Sequence, residues 1–189
     1  MARVKKNDKR DRLVQAADKL IYEQTFHTTT LADIAKEADV PLGNVYYYFK
    51  TKETIMEAVL QKRAAEWREL FNEWEQMPNV KERLVAFLHH MVNQAETLAR
   101  YGCVIGSLCQ ELGKQGGSIA SGASKLMGDI LAWTKSQFQT LGKEEEASRI
   151  LAEELISRIQ GGSLLTLTFK EPAYMSRQTK ATEDWLVSL

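Results

Sequence analysis

Leu42, Gly43, Asn44, Tyr46, Tyr47, Tyr48 and Lys52 lie within eleven consecutive positions. Phenolic hydroxyls, a side-chain amide and an ammonium group make hydrogen bonds and ion pairs rather than covalent intermediates. Grouped this closely, they suit non-covalent recognition of a polyanion. Tyrosine hydroxyls reach phosphate oxygens, and a glycine lets the backbone approach a phosphate or base closely. Thr30 and Lys52 fall where helices would begin, and main-chain N–H groups at helix N-termini also favour phosphate. Elsewhere there is no Gly-rich phosphate loop, nucleophile–base set or paired-carboxylate motif, so no catalytic residue is expected and an enzyme is disfavoured. Glu144-Glu145-Glu146 reads as a helix start, with acids near the positive dipole end. His89 and His90 are adjacent, about 100° apart on a helix, and there is no C-x-x-C; no metal site or cofactor is expected. Cys103 and Cys109, if helical, are about 9 Å apart along the axis, too far for the roughly 7 Å reach of a disulfide.

The chain that positions these groups has 189 residues, with 25 Lys+Arg against 25 Asp+Glu, 44% apolar and 26% charged. Those proportions suit a globular protein and disfavour disorder. No apolar run approaches about 18 residues, so no membrane span is expected. Two cysteines do not make a disulfide scaffold. The basic start, MARVKKNDKRDR, leads into no apolar segment, so no secretory signal and a cytoplasmic location are expected. Charge is uneven: residues 1–52 carry net +3 and residues 53–189 net −3. A basic arm of Arg3, Lys5, Lys6, Lys9, Arg10 and Arg12 either steers toward polyanions or merely solubilises.

Three prolines, Pro41, Pro78 and Pro172, leave long stretches free for helices. Leu13, Ala16, Ala17, Leu20 and Ile21 form one stripe in a helix over 9–24. Thr30 with Asp33 caps a short helix whose apolar face is Leu31, Ile34, Ala35 and Ala38. Pro41 ends it near Asp39. Val45–Phe49 has strand propensity but no partner run or hairpin signal, so the spacing predicts a second short helix with Val45 and Phe49 facing the core. A helix then runs from Thr51 to about Met77. A capping box at Asn79–Glu82 opens one to about Arg100. A short helix covers Cys103–Leu112, and Gly113–Gly122 reads as a loop or helix end. Helices over 123–141 and 144–169 and a last one from Pro172 complete an all-α chain.

Helix 31–38, turn 39–41 and helix 42–49 match a helix-turn-helix, whose second helix enters the major groove. The run TTTLADIAKEADVPLGNVYYYFKTKE resembles the DNA-binding domain of the TetR/AcrR family of transcriptional repressors, over roughly Arg12 to Val59. Its anchors are the paired threonines, I-A-x-x-A, VxxGxxYxYF and K-x-K-E. The resemblance implies that Thr30 contacts phosphate and that Leu42, Gly43 and Asn44 face the bases. It makes Tyr46 a phosphate ligand and places Tyr48 at the second aromatic position. It puts Tyr47 at a variable position and makes Lys52 the residue docking the next helix onto the DNA backbone. Asp39, Pro41 and Ala32 depart from the family pattern, which bears on the operator sequence. Leu42 could meet a thymine methyl and Asn44 an adenine.

The resemblance further implies an N-terminal three-helix helix-turn-helix DNA-binding domain, residues 1–52. A helical effector-binding and dimerisation domain, residues 53–189, would follow. The partners would be palindromic double-stranded operator DNA, a small-molecule effector and a second copy of the chain. Two short helices about 34 Å apart read a palindrome. Ala147, Ile150, Leu151, Leu155 and Ile159, with Tyr174, Trp185 and Leu186, suit either a dimer seam or an internal core. Candidate pocket walls are Trp67, Phe71, Trp74, Phe87, Met91 and Trp133, with Tyr101, His90 and Gln110 as polar groups and Cys103 also placed there; a simple core is the favoured reading of each. The run from Gly102 to Leu112 resembles a GC-x-x-G-x-L-x-x-E-L signature of one subgroup, some members of which sense oxidants or electrophiles through the cysteine matching Cys103. A thiol at a helix N-terminus gains thiolate character; equally, cysteine packs as a small apolar residue. The alternative to a regulator is a helical protein-interaction module without operator specificity.

Overall fold

The computed structural model describes residues 2–114 and 116–189, and side chains from Asp8 onward. Arg3, Lys5 and Lys6 of the basic arm therefore lie outside the described side chains. The helices are α1 (Ala2–Gln24), α2 (Leu31–Glu37), α3 (Leu42–Tyr48), α4 (Lys52–Glu75), α5 (Val80–Val92), α6 (Ala95–Tyr101), α7 (Val104–Gly113), α8 (Gly117–Thr140), α9 (Glu145–Phe169) and α10 (Ala173–Ser188). No strand occurs among the described residues, so the chain is all-α. Nor is any helix among them long and apolar enough to cross a membrane. The chain divides into two compact units.

The first unit is Met1–Ala65 with Leu108–Ser124. Leu13 and Ala17 of α1, Ile34 of α2, Val45 of α3, Ile55 and Met56 of α4 and Leu112 of α7 are fully buried at its centre. Gly122 permits close helix packing: a Cβ there would lie 2.8 Å from Leu60 Cδ1. Asp18, almost buried on α1, meets Lys62 Nζ at 2.9 Å and Arg63 Nη2 at 2.5 Å on α4. Its charge is compensated where burial would otherwise be costly.

The second unit is Glu66–Ser107 with Lys125–Leu189. Here α9 packs on α6 and α10, and α10 on α5. At Gly162 a Cβ would stand 2.9 Å from Gln178 Cγ, so glycine sets how closely α9 meets α10.

Four expectations change. The helix expected over 79–100 is two, because Asn93 caps α5 and the Gln94 amide bonds His90 O at 3.2 Å, competing with the main-chain ladder. Asn79 caps α5 through Lys81 N at 2.9 Å, and Glu82, the expected partner in a capping box, stays exposed. The Gly113–Gly122 loop is much shorter: Gly116 and Gly117, at φ +73° and +84°, make the bend, and α8 starts there. Finally, the α9 stripe splits. Leu155 and Ile159, with Leu186 of α10, are buried within this chain. Ile150 of the stripe stays in solvent, and farther along α9 so do Leu164, Leu165 and Phe169.

Candidate nucleic-acid interface

The local sequence builds α2 and α3 as anticipated. Thr30 N-caps α2 by accepting from Asp33 N at 3.1 Å, while Asp33 Oδ2 accepts from Thr30 N at 3.0 Å. The Thr30 hydroxyl, donating to Asp33 Oδ2 at 2.6 Å, and then the Thr30 N–H hold the Asp33 carboxyl below its ordinary range. At the other end Asp39 takes the left-handed conformation, φ +50°. The turn is fastened by Arg12, whose Nε donates to Ala38 O at 3.0 Å and whose Nη2 reaches the carbonyls of Ala38 and Asp39. Arg12 of the basic arm thus caps the C-terminus of α2, a place where cations are favoured. Arg10 lies 5.3 Å above the Phe49 ring.

Val45 of α3 and Phe49, its C-cap, face inward and are 0% and 4% exposed. The outward face carries Leu42, Gly43, Tyr46 and Tyr47; Asn44 and Tyr48 are half-buried beside it. Tyr46 and Tyr47 are 47% and 63% exposed. The Tyr47 and Tyr48 rings meet edge to face at 5.1 Å. A Cβ at Gly43 would touch nothing in the protein, so internal packing does not require glycine there. Large aromatic surface is left outside on a helix whose other face is buried.

Lys52, at the start of α4, meets main-chain groups of the protein itself. Its ammonium donates to Phe26 O at 2.7 Å and His27 O at 3.1 Å, and sits 4.4 Å from the Phe26 ring centroid. It fastens the turn between α1 and α2. The same two residues are held by Glu111 of α7, whose carboxylate accepts from Phe26 N at 3.1 Å and His27 N at 2.8 Å. Glu111 was visible in the sequence only as the glutamate of the GC-x-x-G-x-L-x-x-E-L run; no local spacing connects it to a turn 84 residues earlier.

The second unit contains a small cavity of about 20 Å³, lined by Trp67, Phe87, Met91, Cys103, Ile105, Met127, Ile130, Ile156, Ile159 and Gln160. Of the anticipated pocket residues, Trp67, Phe87, Met91 and Cys103 reach it. Phe71, Trp74, Trp133 and His90 form the aromatic cluster around Trp67; the Phe71 and Trp133 rings stack at 4.8 Å. Burial lowers the basicity of the His90 imidazole. Tyr101 and Gln110 do not line the cavity; Gln110 is exposed in the first unit. Sequence reasoning favoured aromatics and missed the aliphatic wall and Gln160. The buried Cys103 sulfur accepts from Gly106 N at 3.5 Å and Gln160 Nε2 at 3.4 Å.

The chain is similar to known proteins. Residues 13–59 match the family model described as bacterial regulatory proteins, tetR family. The HTH-type transcriptional repressor NemR of Escherichia coli (strain K12) is 28% identical over 108 residues, covering 56% of this chain and 53% of NemR. The chain thus matches about half the length of that relative. A TetR transcriptional regulator from Legionella pneumophila superposes with a TM-score of 0.84 at 22% identity, covering 92% of this chain and 94% of its own. The transcriptional regulator FadR from Bacillus subtilis, solved in complex with stearoyl-CoA, superposes with a TM-score of 0.72 at 19% identity, over 94% of this chain and 97% of its own. With the matched segment spanning the helices that carry Thr30, Gly43 and Tyr46, the chain carries the regulatory segment of the tetR family of bacterial regulatory proteins over residues 13–59.

Proposed function

We propose that this chain is a cytoplasmic, homodimeric repressor that binds a palindromic operator through α3 and leaves it when a small molecule or a Cys103 modification acts on the second unit. The observation that carries this reading is the two-sidedness of α3. Val45 and Phe49 anchor it, and Leu42, Gly43, Tyr46 and Tyr47 face out. One short helix reads few base pairs. A second copy placed about one DNA turn away doubles both the base readings and the phosphate contacts. The exposed Ile150, Leu164, Leu165 and Phe169 on α9 offer an apolar face for that second copy, since such patches on soluble chains mark interaction sites.

The cavity in the second unit supports an effector role by its chemistry rather than its present size. Its wall is apolar, with one amide and one thiol. Ligand sites usually offer about 300–1,000 Å³, so an effector must displace side chains to enter. Binding then favours the opened state, and only a ligand with unequal affinity for the two states can switch the protein. Enrichment of duplexes from a random-sequence library tests the whole reading. The expected product is a palindrome with half-sites about one helical turn apart; recovery of no common sequence would overturn it in favour of a non-specific helical interaction module.

A further inference from the structure

The turn between α1 and α2 is held at four main-chain atoms by two side chains from distant elements. Helix α1 ends at Gln24, and Thr25 follows at φ +83°, a conformation that a β-branched residue rarely adopts. Beyond it the amides of Phe26 and His27 have no helical acceptor of their own. Glu111 takes both N–H groups, one on each carboxylate oxygen, and Lys52 donates to both carbonyls. Charge-assisted bonds of this kind are about twice as strong as neutral ones. Phe26 is buried, so the pair secures a turn whose side chain is anchored as well. The turn leads directly to Thr29, fully buried and bonded to Thr25 O at 2.7 Å, and then to Thr30, the N-cap of α2. The α2–α3 pair presents its outward residues as a rigid body only if its first end is fixed.

We propose that Glu111 is a positioning residue for DNA binding, through which α7 sets the turn that launches the helix-turn-helix. The proposal rests on the reading of α3 as the DNA-binding helix. Glu111 itself touches no phosphate; it acts through Phe26 and His27. Its removal therefore lowers affinity without changing the number of counterions released, whereas removal of a phosphate ligand also flattens the salt dependence.

The test uses the full-length chain and a duplex enriched from a random library by the wild-type protein. Glu111→Ala is expected to bind that duplex at least tenfold more weakly, with the wild-type salt slope, at a temperature well below its own melting midpoint. Amide exchange at Phe26 and His27 should accelerate while exchange in α9 stays unchanged. Glu111→Gln, which keeps one acceptor oxygen, should fall between; it carries the test if the alanine variant does not fold. Wild-type affinity in both variants, or a loss with a flattened slope, would overturn the proposal. If the wild-type chain enriches no duplex, the α3 reading fails. The clamp is then judged by exchange alone, and unchanged exchange at Phe26 and His27 refutes it.

Discussion

In the first unit the rings of Tyr46 and Tyr47 stand in solvent on a seven-residue helix, 47% and 63% exposed. In the second unit Trp74 and Trp133 are 5% and 7% exposed and pack on Phe71 and Phe87. Both sets lie on helices. The tyrosines carry hydroxyls and stand at the surface. The tryptophans and phenylalanines satisfy one another, and Trp133 Nε1 donates to Glu75 at 3.1 Å. Aromatic spacing therefore says little about role; exposure together with a polar tip says much more.

The sharpest break of this contrast is a pair of substitutions. Trp133→Ala should cost about 3–5 kcal/mol in urea unfolding, because it empties a packed cluster. Tyr46→Ala should leave stability within about 0.5 kcal/mol, as surface changes do, yet weaken DNA binding about tenfold, roughly 1.4 kcal/mol. A Tyr46→Ala variant that unfolds as readily as Trp133→Ala would erase the distinction.

Gly43 sharpens it further. An added Cβ meets nothing in the protein, so Gly43→Ala should keep or raise the melting midpoint. If the backbone there lies against DNA, the same methyl weakens binding several-fold. Unchanged binding would place that backbone away from the duplex.

The smallest effect concerns His90, which packs on Trp67 and Trp74 at 5.6 and 5.9 Å. Burial holds its imidazole below the ordinary 6.5, and Gln94 Nε2 lies 2.9 Å from its Nε2. The neutral ring is thus the form the fold prefers. Its contribution is complete above about pH 6.5 and is lost as pH falls toward the lowered value, where the unfolded chain binds the proton more readily. Thermal melts from about pH 7 to pH 5 should show the wild-type chain losing more stability than His90→Gln; parallel curves would contradict this.

What the sequence made legible follows the distance over which information is stored. The Thr30 cap and the inward Val45 and Phe49 depend on neighbours a few positions away, and they appear as read. The cavity draws its wall from segments scattered between Trp67 and Gln160, so periodicity located some of its residues but not Ile105, Met127 or Ile156. The α9 stripe showed an apolar face without showing what covers it. Leu155 and Ile159 turned inward, whereas Ile150 did not. Lys52 sits at the expected position, but its ammonium is engaged by Phe26 and His27, a contact that only the folded turn creates.

The central claim is that α3 reads a duplex. Fluorescence anisotropy of the wild-type chain on its enriched duplex and on a scrambled duplex of equal length, titrated with salt, tests it most directly. The expected result is at least about a thousandfold preference for the enriched sequence, with affinity falling steeply as salt rises. Equal affinity for both duplexes, or binding indifferent to salt, would contradict it.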